Sequence, residues 1–298
     1  MSDDALDPAS FASFLELALD EDRAREDVTA AALLEGDGPV RTAEVVARED
    51  GVVAGLALLE PLFRLLDPAA RVELLLEDGT RIAGTTLLAR VTATSRALLA
   101  GERTALNLLQ RLSGIATKTS AFVEATMATG VRIYDTRKTT PGLRHLEKYA
   151  VRCGGGCNHR MDLADAAMIK ENHLVAAHGR RGPEAIAAAV RSCFAALRDE
   201  QLLYVEVETL AELEAVLEAS AGRRGRVVVM LDDFEIGDIR MAARQVRALG
   251  ADRPALEATG GVKLDTIEAL ASTGVSRLSS GAITHSVKAL DIALKIRA

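Results

Sequence analysis

The chain has 298 residues, 49% of them hydrophobic and 27% charged, and a formal net charge of −7. These values predict a globular protein with a substantial core, and no apolar run approaches the roughly 18 residues that a membrane span needs. The negative charge argues against a nucleic-acid binder, because such proteins use an excess of Lys and Arg to neutralise phosphates.

The N-terminus and the cysteines predict a cytoplasmic location. The chain starts with the acidic stretch MSDDALDPAS, whereas a secretory signal starts with basic residues that precede an apolar run. Three cysteines are too few, and odd in number, for a disulfide framework. We therefore expect a cytoplasmic protein with neither a membrane nor a nucleic acid as partner.

The first half of the chain predicts a helix, a small antiparallel sheet and a second, long helix. Residues 11–20 have helical spacing, and residues 40–93 contain short β-branched runs. EDG at 49–51 and again at 77–79 predicts hairpin turns between these runs. Residues 95–129 predict the long helix, with Gly101 and Gly114 as points where it splits or bends.

After Thr129, short apolar strands alternate with helical segments. The predicted strands are VRIYDT (131–136), AAMIK (166–170), LLYVEVE (202–208), RVVVMLD (226–232), ALEATG (255–260) and VSRLSSG (275–281). Alternating strands and helices imply parallel strands with right-handed crossovers. The pattern therefore predicts an α/β barrel or an open doubly wound sheet.

Each of these strands ends in polar or small residues: DTRKTT, KENH, EVE, LDDF, TGG and SSGA. In parallel α/β folds ligands bind at this carboxyl edge, because the loops and the helix N-termini converge there. Its basic groups would be Arg137, Lys138 and Lys170, with His159 and Arg160 in the preceding loop. So many cations in one cleft predict an anionic ligand, since like charges repel unless an anion neutralises them.

Two small-residue turns predict phosphate sites. ATGG (258–261) and SSGA (279–282) each follow a strand and precede a predicted helix, LDTIEALAST and SVKALDIALKI respectively. Backbone N–H groups at such turns bind phosphate. The last two strands of a barrel are also the usual place for a phosphate site.

Two carboxylates, Glu206 and Asp232, fall at the same edge. They could hold Mg²⁺, bind sugar hydroxyls or stabilise a developing positive charge. Strand periodicity does not choose Glu206 over Glu208, because residues two apart face the same side. Cations, phosphate turns and acids together indicate transfer of a phosphorylated sugar.

Three other interpretations start from single motifs. Cys153, Cys157 and His159 in RCGGGCNHR could form a structural zinc site, although they offer only three close ligands. Lys170 could be the nucleophile of a Schiff-base aldolase. VVVMLDDFEIGD (227–238) has the paired acids of another phosphoribosyltransferase class but lacks the Thr- and Gly-rich loop that follows them there.

Several stretches resemble the quinolinate phosphoribosyltransferase family. They are GERTALNLLQRLSGIAT, DTRKTTPGLRHLEKYAVRCGGGCNHRMDLADAAMIKENH, VEVETLAELEAVL, VMLDDF, EATGGV and SSGAITHSVKALDI. The resemblance implies an N-terminal α/β sandwich domain (1–115) and an incomplete, open α/β barrel with parallel strands (116–284). A C-terminal tail (285–298) would pack on the N-terminal domain.

The resemblance also implies the reaction and the assembly. Such enzymes join quinolinate to phosphoribosyl pyrophosphate with Mg²⁺ and release pyrophosphate and carbon dioxide, giving nicotinate mononucleotide for NAD biosynthesis. They work as homodimers, with Arg103 matching an arginine donated across the interface. A paralogue of the same fold that uses nicotinate or another ligand stays open as an alternative.

Residue by residue, the resemblance implies three groups of site residues. Those matching the quinolinate pocket are Thr136, Arg137, His159, Arg160 and Lys170. Those matching catalytic positions are Lys138, near both substrates, and the acids Glu206 and Asp232, at the ribose and as possible Mg²⁺ ligands. Those matching the phosphate turns are Thr259, Gly260, Gly261, Ser280, Gly281 and Ala282.

Two residues depart from the family pattern. Asp233 stands where relatives often have Asn, which adds a negative charge and could change metal affinity. Thr259 stands where Ser is more usual, which keeps the hydroxyl group.

Overall fold

A computed structural model describes residues 6–297. Residues 1–5 and 298, at the ends of the predicted domain 1–115 and tail 285–298, lie outside the described part. The chain divides into two compact units. The first contains residues 6–120, 145–155 and 286–297, and the second contains residues 121–144 and 156–285.

The strands and helices follow the chain in a mixed α/β order. The strands are β1 Val40–Ala47, β2 Gly51–Val52, β3 Arg71–Leu74, β4 Arg81–Ile82, β5 Thr86–Thr94, β6 Arg132–Tyr134, β7 Ala167–Ile169, β8 Leu203–Val207, β9 Val227–Asp232, β10 Ala255–Thr259, β11 Arg277–Ser279 and β12 Ile292–Ile296. The helices are α1 Ala12–Glu21, α2 Val28–Leu33, α3 Leu59–Leu66, α4 Ser95–Thr126, α5 Arg144–Cys153, α6 Glu171–His178, α7 Pro183–Ala196, α8 Leu210–Ala219, α9 Ile236–Arg247, α10 Ile267–Ala271 and α11 Ala282–His285.

The first unit contains an antiparallel sheet in the order β12-β1-β5-β3 and a separate small pair, β2-β4. An antiparallel sheet was expected here, but the two hairpins predicted at EDG are wrong. The strands on either side of each EDG do not pair with each other; β1 pairs with β5 and β12, and β3 pairs with β5. The strands that follow the two EDG turns, β2 and β4, have only two residues each, so distant partners determine the pairing of β1 and β3 instead of the local turns.

Helix α4 is continuous over 32 residues, so the predicted split at its glycines is wrong. The glycines instead allow close packing within the first unit. A Cβ on Gly101 would lie 2.7 Å from the ring of Phe63, and one on Gly114 would collide with the backbone carbonyl of Lys288.

The second unit is built on a parallel sheet of six strands within the described chain, in the order β6-β11-β10-β9-β8-β7. Strands β6 and β7 are its edges, so the barrel is open as expected. One face of the strands carries a buried apolar cluster of Ala166, Tyr204, Val228 and Met230. Since strand side chains alternate in direction, Glu206 follows Tyr204 on this face and Asp232 follows Met230, nearer the carboxyl ends.

The C-terminal helix predicted from SVKALDIALKI is wrong. Only the short α11 forms before it, and residues Ile292–Ile296 form β12, which pairs antiparallel with β1. The alternating burial of β12 matches a strand with one face against a core. Pairing with a distant strand therefore overrides the local helical spacing.

The two units differ from the predicted domains in residues 116–120, 145–155 and 285. Residues 145–155 group with the first unit, although the prediction placed them in the barrel domain 116–284. Two contacts explain this: the Tyr149 hydroxyl donates to Asp78 at 2.7 Å, and the Arg111 guanidinium donates to buried Glu147 at 2.8 Å. Across residues 6–297, no helix is both long and apolar enough to cross a membrane.

Candidate active site

The loop after α5 is attached to the end of β6 by a buried carboxylate. Asp135, directly after β6, accepts the backbone N–H of His159 at 2.8 Å and the side-chain amide of Asn158 at 2.7 Å. Cys157 extends the pairing through its N–H, which donates to Ile133 O at 2.7 Å. The sequence RCGGGCNHR therefore brings His159 and Arg160 to the carboxyl edge of the sheet. Sequence reasoning missed Asp135, whose signal is an acid immediately after a buried strand.

Arg160 and Arg137 are neighbouring cations whose charges repel each other. Arg160 is buried, and its Nη1 donates to Ala166 O at 2.8 Å. Burial lowers the pKa of its guanidinium, and the nearby charge of Arg137 lowers that pKa further. Neither arginine has a carboxylate within 4 Å among the described residues, so a bound anion would relieve both costs.

The imidazole of His159 faces protein groups at both nitrogens. Nδ1 accepts the backbone N–H of Arg160 at 2.9 Å, and Nε2 lies 3.7 Å from Oε1 of Glu257. The ring packs against that of Tyr204 with centroids 4.1 Å apart. Sequence reasoning also missed Glu257, whose signal is a single acid inside the apolar strand ALEAT.

At the ends of β7, β8 and β9 lies a mixed cluster of charges. The Lys170 ammonium group forms an ion pair with Glu206. Burial raises the pKa of Asp232, the negative charges of Glu206 and Asp233 raise it further, and the charge of Lys170 opposes them. Glu208, the other candidate on β8, is exposed and pairs with Arg181 at 3.4 Å. The geometry therefore favours Glu206 over Glu208 as the acid of the candidate site.

The carboxylate cluster suits a cation such as Mg²⁺. Burial and, after it, the carboxylates of Glu206 and Asp233 raise the pKa of Asp232, and the charge of Lys170 offsets that rise only in part. Residues 6–297 contain no group of three or more His, Cys, Asp or Glu placed to hold a metal ion, and this leaves the zinc interpretation without support. Mg²⁺ needs fewer protein ligands, because it keeps several waters and binds substrate phosphates alongside one or two carboxylates.

The turn after β10 packs against Asp233. Gly260 and Gly261 have φ of +78° and +55°, and a Cβ on Gly260 would collide with the carboxylate of Asp233. Asp233 itself adopts a left-handed φ of +53°, and its N–H donates to Thr259 O at 3.2 Å. The helix predicted directly after this turn begins only at Ile267, so backbone N–H groups of the turn itself would have to bind a phosphate.

The turn after β11 lies beside the end of β6. The Ser280 N–H donates to Tyr134 O at 3.1 Å, and its hydroxyl donates to Val262 O at 2.9 Å. A Cβ on Gly281 would lie 2.8 Å from Cδ of Lys138, so the lysine stem passes directly over this glycine. Ala282 begins α11, whose Thr284 hydroxyl donates to Lys138 O at 2.8 Å.

The remaining predicted residues are placed as follows. The Thr136 hydroxyl accepts the Lys138 N–H at 3.0 Å, which shapes the backbone at the end of β6. Arg103 belongs to the first unit, on an exposed part of α4, and its ion pair is with adjacent Glu102 at 3.8 Å. The second unit thus brings together every predicted site residue except Arg103.

Comparison with known proteins identifies the family. The model of the quinolinate phosphoribosyl transferase C-terminal domain matches residues 115–295, and that of the N-terminal domain matches residues 27–113. The chain belongs to the quinolinate phosphoribosyl transferase family. The resemblance stated from sequence motifs is therefore confirmed.

Individual members of this family match over nearly the whole chain. The chloroplastic nicotinate-nucleotide pyrophosphorylase [carboxylating] of Arabidopsis thaliana is 41% identical over 95% of this chain and 81% of its own. The enzyme of the same name from Mycobacterium leprae is 41% identical over 94% of both chains. The crystal structure of the Francisella tularensis nicotinate-nucleotide pyrophosphorylase has a TM-score of 0.88 at 35% identity, covering 99% of this chain and 98% of that one.

Proposed function

We propose that the protein transfers the phosphoribosyl group of phosphoribosyl pyrophosphate to quinolinate, with decarboxylation, in NAD biosynthesis. The products are nicotinate mononucleotide, pyrophosphate and carbon dioxide. The observation that carries this proposal is the buried Arg160 beside Arg137, with no carboxylate within 4 Å of either among residues 6–297, in a chain of this family. Two adjacent guanidinium groups suit a dicarboxylate better than a monocarboxylate, because each can bind one carboxylate through paired hydrogen bonds.

The chain's charges would divide between the two substrates. Arg137, Arg160 and Lys170 would hold the carboxylates of quinolinate, with the ring nitrogen directed at the anomeric carbon. As this nitrogen forms its bond to carbon, the bond to pyrophosphate breaks and the ribose ring becomes positively charged. The carboxylates of Glu206 and Asp232 would stabilise that charge, since they lie in a partly buried site where electrostatic effects are strong.

Loss of carbon dioxide leaves an electron pair on the ring carbon, which then takes up a proton. Lys138, with its stem over Gly281, is the proposed cation near both substrates and close to the leaving pyrophosphate. The turns containing Thr259, Gly260 and Gly261, and Ser280, Gly281 and Ala282, are proposed to bind the phosphate groups through their backbone N–H groups.

Mg²⁺ is the proposed cofactor, held by Glu206 and Asp232 in part through water. When bound it supplies positive charge that stabilises the leaving pyrophosphate. The negative charge that accumulates around Asp232 supports the assignment.

A homodimer and a cytoplasmic location complete the proposal. The exposed Arg103, whose ion pair reaches only its neighbour on the helix, supports a role across a subunit interface. Three free cysteines, Cys153, Cys157 and Cys193, support a reducing compartment.

The test is an assay of the purified protein with phosphoribosyl pyrophosphate and Mg²⁺, offering quinolinate in one series and nicotinate in another. We expect release of carbon dioxide and pyrophosphate in equal amounts with quinolinate, no turnover with nicotinate, and loss of activity when EDTA removes the metal. Turnover of nicotinate alone would favour the paralogue alternative and contradict the proposal.

A further inference from the structure

Glu257 is a buried acid that the proposed reaction does not use. It lies in the middle of β10, its side chain is fully buried, and its backbone neighbours in the sheet are Met230 and Arg277. Within residues 6–297 neither of its carboxyl oxygens accepts a hydrogen bond. Burying such a group costs free energy, so its surroundings should reveal what it does.

The imidazole of His159 lies close to this carboxylate, at 3.7 Å from Nε2 to Oε1 of Glu257. The other ring nitrogen, Nδ1, accepts the backbone N–H of Arg160 and must therefore carry a lone pair. The proton of the neutral ring then lies on Nε2, directed at Glu257. A proton on Nδ1 would instead face the N–H of Arg160, and the two donors would repel each other.

The charged and titratable groups around Glu257 come from several elements, whereas β9 places Met230 opposite it. Besides His159 they are Lys170 after β7, Tyr204 on β8, and Arg277 with the hydroxyl of Ser279 on β11. Burial raises the pKa of Glu257 to about 7. Ser279, Arg277 and Lys170 oppose that rise, although Ser279 and Glu257 form no hydrogen bond of acceptable geometry.

We propose that Glu257 is a positioning residue that keeps the proton of His159 on Nε2 and thereby fixes the backbone of Arg160. An ionised Glu257 attracts the Nε2 proton, which leaves Nδ1 as the acceptor for Arg160. Protonation of the pair removes this preference, so the loop that carries the Arg160 guanidinium loses its anchor. The inference rests on the proposed function, because it assigns the Arg160 guanidinium to the carboxylates of quinolinate.

The pH dependence follows from the sign of this effect. The competent form carries one proton fewer than the form that predominates in acid. Quinolinate binding should therefore be complete well above pH 7 and weaken as the pH falls through the raised pKa of Glu257, about 7.

The kinetic test compares E257L, E257Q and the wild-type enzyme between pH 6 and pH 8. Leu removes the acceptor, and we expect the KM for quinolinate to rise about tenfold while that for phosphoribosyl pyrophosphate stays within about twofold. Gln keeps an acceptor but does not titrate. E257Q should therefore retain the wild-type KM for quinolinate at pH 8. On acidification, the KM of this variant should begin to rise at a lower pH than that of the wild-type enzyme.

Glu147 provides the matched control, because it is also a fully buried glutamate but belongs to the first unit and pairs with Arg111. E147Q should leave the KM for quinolinate and its pH profile unchanged. If E257L raised both KM values equally, or neither, the positioning role would be contradicted.

Nitrogen-15 NMR of histidine-labelled protein reads the tautomer directly and does not depend on E257L folding. The His159 signals, identified by their loss in H159Q, should report a proton on Nε2 above pH 8 in the wild-type protein. A proton on Nδ1 there would overturn the inference. Because this readout needs no turnover, an enzyme that failed to use quinolinate would contradict only the proposed function.

Discussion

Arg160 combines two properties that rarely occur together in one side chain, burial and a charge with no carboxylate within 4 Å among residues 6–297. Its guanidinium has a backbone carbonyl as partner and another arginine as neighbour. An unpaired buried charge destabilises a protein unless a ligand neutralises it. In the proposed function, Arg160 would therefore link quinolinate binding to the stability of the loop that holds it.

Replacing Arg160 by Ala should impair quinolinate binding selectively. The loss of a buried, charge-assisted contact costs about 2–4 kcal/mol, so we expect the KM for quinolinate to rise by about 30-fold or more. The KM for phosphoribosyl pyrophosphate should change little. Steady-state kinetics with each substrate varied in turn measure the difference.

R160K is the control that separates the positive charge of Arg160 from the planar geometry of its guanidinium group. Lys keeps the positive charge but lacks the planar fork, so it should recover only part of the lost binding. Equal effects of R160A on both substrates would assign Arg160 to another role.

Glu257 should also make the stability of the protein depend on pH. The pKa of Glu257 rises from 4.5 to about 7 on folding, so the folded state binds its proton more tightly than the unfolded state does. This contribution therefore favours folding in acid and declines as the pH rises from 4.5 to 7. Relative to wild type, E257Q should gain up to about 3 kcal/mol in the free energy of unfolding between pH 5 and pH 8.

Urea denaturation at the two pH values measures this gain. A difference between E257Q and wild type that did not change with pH would show that Glu257 titrates normally.

At the scale of elements, the parallel strands were predictable, whereas the pairing of the antiparallel strands and the strand β12 were not. Each parallel strand is a buried apolar run with a polar end, a pattern contained within a few residues. The partners of β1 and β12 lie far apart in the chain, and no local turn specifies their pairing. The candidate residues at the strand ends could be named from the sequence for the same reason as the strands, whereas Asp135 and Glu257 are single acids without a repeating pattern.

Glycines in helices of this protein have two different roles, and a pair of substitutions separates them. Gly114 in α4 faces the carbonyl of Lys288, whereas Gly237 in α9 has open space around it. G114A should lower the free energy of unfolding by about 1–3 kcal/mol through steric overlap. G237A should raise it by about 0.5 kcal/mol, because Ala restricts the unfolded chain more than Gly does.

Chemical denaturation of the two variants under the same conditions provides the comparison. If G114A were as stable as G237A, close packing at Gly114 would not be the reason for that glycine.

At the scale of the whole molecule, the proposed dimer predicts that two inactive variants restore each other. R103A lacks the residue proposed to cross the interface, and K138A lacks a residue of the barrel site. Each should be inactive alone. Random mixing of their subunits would give one intact site in each hybrid dimer, and thus about a quarter of the wild-type activity.

The measurement is activity after the two variants are denatured together and refolded, with each variant refolded alone as the control. Native mass spectrometry would show whether the mixture contains hybrid dimers. If hybrids were present and activity did not recover, Arg103 would act in the site of its own subunit.

The pairing of β12 with β1 has a consequence for how the protein is made in the cell. The first strand of the antiparallel sheet, Val40–Ala47, leaves the ribosome some 250 residues before its partner, Ile292–Ile296. The parallel sheet, by contrast, has all its strands once residue 279 has emerged. During synthesis, one edge of β1 therefore stays open and available to other chains until Ile292–Ile296 has emerged.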